Sequence, residues 1–130
     1  MDAALRAEVE TLRGLESAEA ADYVLRTYPL EALQWGRALD LIAHRSWQRE
    51  DQIRLAEHYL SRIPYASTRP YEVFAALLSF HDFADIIRRH WPKAECDNGL
   101  LCYHLAPLVK RYVEAGADRK LGEELLKTGG

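Results

Sequence analysis

Apolar residues in this chain recur every three or four positions from one end to the other, and no stretch sustains the apolar/polar alternation of a half-buried strand. Only a helix turns such a spacing into one continuous face. The residue types agree, because Ala and Leu together number 37 whereas the strand-favouring Val and Ile together number 10. The pattern predicts an all-α fold of about eight helices, arranged as an irregular up-and-down bundle or a short HEAT-like stack of helix pairs. A length of 130 residues suits a single helical domain spanning 1–130.

Proline, glycine and capping residues set the expected boundaries. The first helix covers roughly 3 to 14, with Leu5, Val9 and Leu12 inward and Gly14 at its end. Ser17 is the expected cap of the second, which buries Ala20 or Ala21, Val24 and Tyr28 before Pro29 stops it. The third, from about Leu30 to Ser46, is apolar over most of its circumference and so is expected at the centre of the core. The fourth, about Gln48 to Ile63, turns Ile53, Ala56, Leu60 and Ile63 inward and pairs Glu50 with Arg54 on its wet side. After a loop from Pro64 to Pro70, the fifth helix is apolar on nearly all sides and is the second expected centre. Asp82 is the expected cap of the sixth, with Phe83, Ile86, Ile87 and Trp91 inward and Pro92 as terminator. The seventh spans about Gly99 to Ala115, burying Leu101, Leu105, Leu108, Val109 and Tyr112, with a kink expected at Pro107. Asp118 caps a short last helix.

Charge and cysteine content narrow the function. There are 17 Lys+Arg against 20 Asp+Glu, a net charge of −3, and no run of Lys and Arg exceeds two residues, as at Arg88 and Arg89, which argues against nucleic acid as a partner. No apolar run approaches the ~18 residues of a membrane span. The acidic, amphipathic start predicts no signal peptide, and two cysteines, Cys96 and Cys102, point to a reducing, cytoplasmic compartment rather than a disulfide scaffold.

Catalytic patterns are scarce. No glycine-rich phosphate loop or nucleophile–His–acid set can be assembled by spacing, so neither an enzyme nor a cofactor is expected. His90, Cys96, Cys102 and His104 crowd into 15 residues, but Cys102 and His104 lie about 200° apart on a helix and cannot share a metal. The dipeptide His81 and Asp82, following the apolar run Ala75 to Leu78, resembles the signature of the HD family of metal-dependent phosphohydrolases. That resemblance implies, as an alternative, a divalent metal held by His44, His81, Asp82 and Asp118. Asp82 also reads as a helix cap, reinforced by Asp85 in the first turn.

Protein binding is the expectation that remains. Tyr, Trp and Arg anchor protein interfaces, and Tyr65, Arg69 and Tyr71 fall in or beside one loop while Trp91, Glu95 and Asp97 fall around the next. Antiparallel helices would bring both loops to the same end, so these six residues are the predicted partner-binding set. The expected function is a non-enzymatic module that binds another protein, in the manner of bacterial immunity proteins or antitoxins that occlude a partner, or as a regulatory or adaptor subunit.

Overall fold

The structure, a computed structural model, describes residues 2–127, apart from the side chains of residues 95 and 96. Its elements are α1 (Ala3–Arg13), α2 (Ser17–Thr27), α3 (Arg37–Ala43), α4 (Arg49–Tyr59), α5 (Arg69–Leu77), α6 (Phe80–Arg89), α7 (Glu95–Glu114) and α8 (Arg119–Leu126). The chain is therefore all-α, with eight helices and no strand among the described residues. Contacts gather into two compact units, residues 1–58 and 59–130.

In the first unit, the Asp2 carboxylate accepts the Leu5 N–H at 2.6 Å and starts α1. The apolar stripe Leu5, Val9 and Leu12 is buried as its spacing dictates, and both α1 and α2 pack on α3. Ser17 does not cap α2, whose N-cap is Glu16. Its buried hydroxyl instead donates to Asp51 at 2.6 Å and accepts the Gln48 N–H at 2.9 Å, so it serves the start of α4.

The third helix is much shorter than expected. From Pro29 to Gly36 the chain runs in turns closed by three-residue steps, Ala32 N–H to the Pro29 carbonyl and Trp35 N–H to the Ala32 carbonyl among them, and the α-helix starts only at Arg37. Leu33 is 100% exposed. Tertiary bonds outcompete the apolar pattern here: the Leu30 N–H is held by His58 Nε2 at 3.2 Å, and Arg37 is tied to Glu8 at 2.7 Å. What remains of the helix does bury Ala38, Leu39, Leu41 and Ile42. In α4, Leu55 and Ala56 are inward while Ile53 is only half-buried, and Arg54 pairs with Asp22 and, at 3.6 Å, with Asp51 instead of reaching for Glu50.

Glu8 is the polar centre of this unit. Its carboxylate accepts from Tyr23 (2.9 Å), Tyr28 (2.8 and 2.9 Å) and Arg37 (2.7 Å), which joins α1, α2 and the start of α3. Although burial acts to raise it, these donors hold the carboxyl below its ordinary value of 4.5. Burial and the adjacent carboxylate push Tyr28 up to about 12.

In the second unit, α7 packs on α5 and α8, while α6 packs on the same two helices. The central helix is α6, with Phe80, Phe83, Ala84, Ile86 and Ile87 buried. The fifth helix does not take that place: it buries Tyr71, Val73 and Phe74, but Ala76 is exposed and Leu77 half-buried. Nor does Asp82 cap α6, because the Ser79 hydroxyl one turn earlier accepts the Asp82 N–H at 3.1 Å. Asp82 is itself buried in the first turn.

The seventh helix starts earlier than expected and continues through Pro107 to Glu114. It ends in a Schellman turn, with Ala117 N–H reaching Tyr112 O at 2.9 Å and Gly116 N–H reaching Val113 O at 3.0 Å. Gly116 has a φ of 106° there, a conformation open to glycine at little cost. Asp118 caps α8 as its position predicts, accepting from the N–H groups of Lys120 and Leu121. The helix approaches α7 so closely that a Cβ placed on Gly122 would lie 2.7 Å from a Val109 methyl.

Candidate functional site

The loop expected to present aromatic anchors instead folds into a tyrosine-rich seam. Tyr71 is 0% exposed, and its hydroxyl accepts the Tyr65 N–H at 2.7 Å. Tyr65 is half-buried, donates to the Tyr59 carbonyl and has its phenol pushed up to about 12, chiefly by burial. Tyr59 stacks near Phe74, with ring centroids 6.4 Å apart. The expectation that Tyr65 and Tyr71 stand free in a loop is therefore corrected: a phenol whose oxygen closes a backbone bond is more stable inside than out. Arg69 is exposed in the first turn of α5.

The loop at 64–70 is tied to α7. Thr68 bonds to His104 Nδ1 at 2.7 Å, and the His104 ring stacks 5.5 Å from Tyr71. The loop thus lies against the middle of α7, about 10 Å along the helix axis from Asp97 at 1.5 Å per residue. Trp91 is half-buried and donates to Asn98, Asp97 is half-exposed in the first turn of α7, and the Glu95 side chain lies outside the described residues.

His44 belongs to the first unit, where its Nδ1 donates to the Asp40 carbonyl at 2.5 Å. His81 is exposed beside the buried Asp82, and Asp118 is occupied as the α8 cap. No group of three or more His, Cys, Asp or Glu placed to hold a metal occurs among the described residues. Cys102 lies near the Leu126 carbonyl, at 3.6 Å, and burial pushes its thiol up. The Cys96 side chain lies outside the described residues. No helix among the described residues is long and apolar enough to cross a membrane.

A polar cleft of about 340 Å³ in the first unit is lined by Arg13, Arg45 and Trp47. Its guanidinium groups serve the fold: Arg13 donates to the His44 carbonyl, and Arg45 donates to the carbonyls of Leu12 and Leu15 while lying 4.7 Å over the Trp47 ring.

The feature that needs a function is the wet face of α7. Leu101, Leu105, Leu108 and Val109 are buried as expected, yet Leu100 is 40% and Tyr103 75% exposed, with Gly99, Ala106 and Pro107 exposed beside them. At 100° per residue these five share one side of the helix. None is charged, and no Asp, Glu, Lys or Arg occurs from Asn98 to Val109. A solvated helix face ordinarily carries charge. Pro107 has no N–H, so the carbonyl of Tyr103 also lacks its normal helical donor.

Alongside, a cavity of about 200 Å³ opens between α5 and α7, with Ala75, Ala76, Leu108 and Ala115 in its wall and the exposed Glu72 and Arg111 at its edge. Tyr112 closes its floor, and its hydroxyl donates to the carbonyls of Ala75 and Leu78. One turn from Leu108, His104 is 6% exposed, and its Nε2 has no hydrogen-bond partner. The signal for this face was in the sequence as an uncharged run of twelve residues in a helix long enough to have a wet side. Compared with protein families, curated proteins and solved structures, the chain matches none.

Proposed function

We propose that this protein is a non-enzymatic binding module whose contact surface is the uncharged face of α7. The observation that carries the reading is Tyr103: a large aromatic side chain, 75% exposed, at the centre of a helical face without charge. Exposed apolar patches on small proteins mark interaction sites, and tyrosine contributes contact area at low entropic cost. The partner is a protein offering an apolar strip bounded by charge, because the uncharged turns of α7 are followed by exposed Lys110, Arg111 and Glu114. Occlusion of a toxin by an immunity protein or antitoxin is one form of such binding, and an adaptor or regulatory role is another. Cytoplasmic residence belongs to the same proposal, on the low cysteine count.

The experiment is site-specific photo-crosslinking in the cell that makes the protein, with benzoylphenylalanine in place of Tyr103 and, as a control, in place of the exposed Glu10 on α1. Adducts to a polypeptide at position 103 and not at position 10 are expected. Equal labelling at both positions, or none at 103, overturns the reading.

A further inference from the structure

The cavity between α5 and α7 carries both signs of charge at its mouth. Thr68 meets His104, and the Tyr112 hydroxyl reaches the carbonyls of Ala75 and Leu78, so the two helices run side by side in the same direction. That register sets Glu72 on α5 near the level of Leu108, about 5 Å along the axes from Arg111 on α7 at 1.5 Å per residue. Glu72 and Arg111 both line the cavity and both are exposed. Neither side chain has an ion pair or a hydrogen bond among the described residues.

Between these charges the wall is apolar. Ala75, Ala76 and Ala115 end at a methyl group, and Leu108 lies beside the Tyr112 ring. That ring is fixed by Phe80 and Phe83, with centroids 4.7 and 5.8 Å away, and its hydroxyl is engaged by the α5 carbonyls. The floor is therefore an aromatic surface without a free donor.

We infer that this cavity binds a free α-amino acid with a large apolar side chain. The side chain lies against Tyr112, the ammonium group meets Glu72, and the carboxylate meets Arg111. Size agrees, because an apolar cavity of about 150 Å³ holds a benzene-sized ring and this one measures about 200 Å³. Charge decides the class. A guanidinium matches a carboxylate through two parallel hydrogen bonds, and an α-amino acid carries ammonium and carboxylate on the one carbon that bears its side chain. A hydrocarbon would use neither charge, and the terminal residue of a peptide carries one of them, not both. An apolar pocket with a few polar groups at its edge is the ordinary form of a small-molecule site. None of Gly99, Leu100, Tyr103, Ala106 and Pro107 lines the cavity, so the inference is independent of the α7 contact surface.

Amide shifts of the nitrogen-15-labelled protein, titrated with L-phenylalanine to about 20 mM, test the site. Saturable shifts centred on residues 72–76 and 108–115 are expected, with a Kd of about 1 mM. Two analogues remove one charge each: 3-phenylpropanoate lacks the ammonium group and phenethylamine lacks the carboxylate. Each should bind the wild type about fivefold more weakly than L-phenylalanine. Glu72→Gln and Arg111→Gln change exposed residues and should each weaken L-phenylalanine by a similar factor. The loss in Glu72→Gln should vanish when the ligand is 3-phenylpropanoate, and the loss in Arg111→Gln when it is phenethylamine. No saturable shift with L-phenylalanine, or shifts centred outside α5 and α7, overturns the site. Equal binding of all three ligands by the wild type, or wild-type affinity for L-phenylalanine in both variants, overturns recognition of the amino-acid head group.

Discussion

Tyr23 and Tyr28 in the first unit and Tyr65 and Tyr112 in the second are phenols of the same chemistry put to different use. The first pair donates to the Glu8 carboxylate, the second pair to backbone carbonyls. A bond to an ionised acceptor is stronger than a neutral one, but it exists in that form only while the acid is ionised. The first unit is therefore joined by a charged centre and the second by neutral bonds around an apolar core. The difference implies that pH and core truncation should act on different halves of the chain.

The largest effect should come from the core of the second unit. Phe83→Ala removes a fully buried ring and should lower stability by about 3–5 kcal/mol, read as a fall in the denaturation midpoint with amide exchange accelerated first in residues 59–127. Acceleration confined to the first unit would break the comparison.

Next comes Glu8→Ala, which removes the carboxylate to which two phenols and a guanidinium donate. A loss of about 1–2 kcal/mol is expected, with exchange faster in α1 and α2. The pH dependence follows from the lowered carboxyl. Glu8 titrates below its unfolded value of 4.5, so its contribution is complete above that pH and is lost as pH falls through the folded value. Acidification should thus open the first unit first, and Glu8→Gln should flatten that acid limb. An unchanged acid profile in Glu8→Gln would remove Glu8 as its source.

Tyr112→Phe should cost about 1 kcal/mol, because it leaves two carbonyls short of one donor while keeping the ring in place. Burial raises the Tyr112 phenol, so its contribution is present at low and neutral pH and fades only as pH climbs above about 10 toward the folded value. The acid limb of Tyr112→Phe should match that of the wild type. The smallest effect belongs to Tyr103→Asp, expected within about 0.5 kcal/mol of wild-type stability because the side chain is wet. Its effect should appear in association instead.

The sequence discloses most where a residue's own chemistry ends or starts a helix. Asp118 at the start of α8 and the proline stop after α2 needed no tertiary information. It discloses least where a distant partner decides. Leu30 to Gly36 reads as helix because Leu33 and Trp35 suit an apolar face, and nothing local shows that His58 and Glu8 will hold its two ends in turns. Tyr65 and Tyr71 read as anchors until their oxygens are seen to close backbone bonds. The α7 face lay between these cases: its missing charge was visible, but the buried stripe of Leu101, Leu105 and Leu108 drew the reading to the other side.

At Gly122 the distance between α7 and α8 is set by a hydrogen atom. Any side chain there must displace Val109, which lies on the buried side of the helix whose opposite side carries Tyr103. The same α7 backbone is thus a wall for the tail helix and a platform for whatever docks outside. Position 122 becomes a remote control on the platform: a methyl group added there can tilt the outer surface without touching a residue on it.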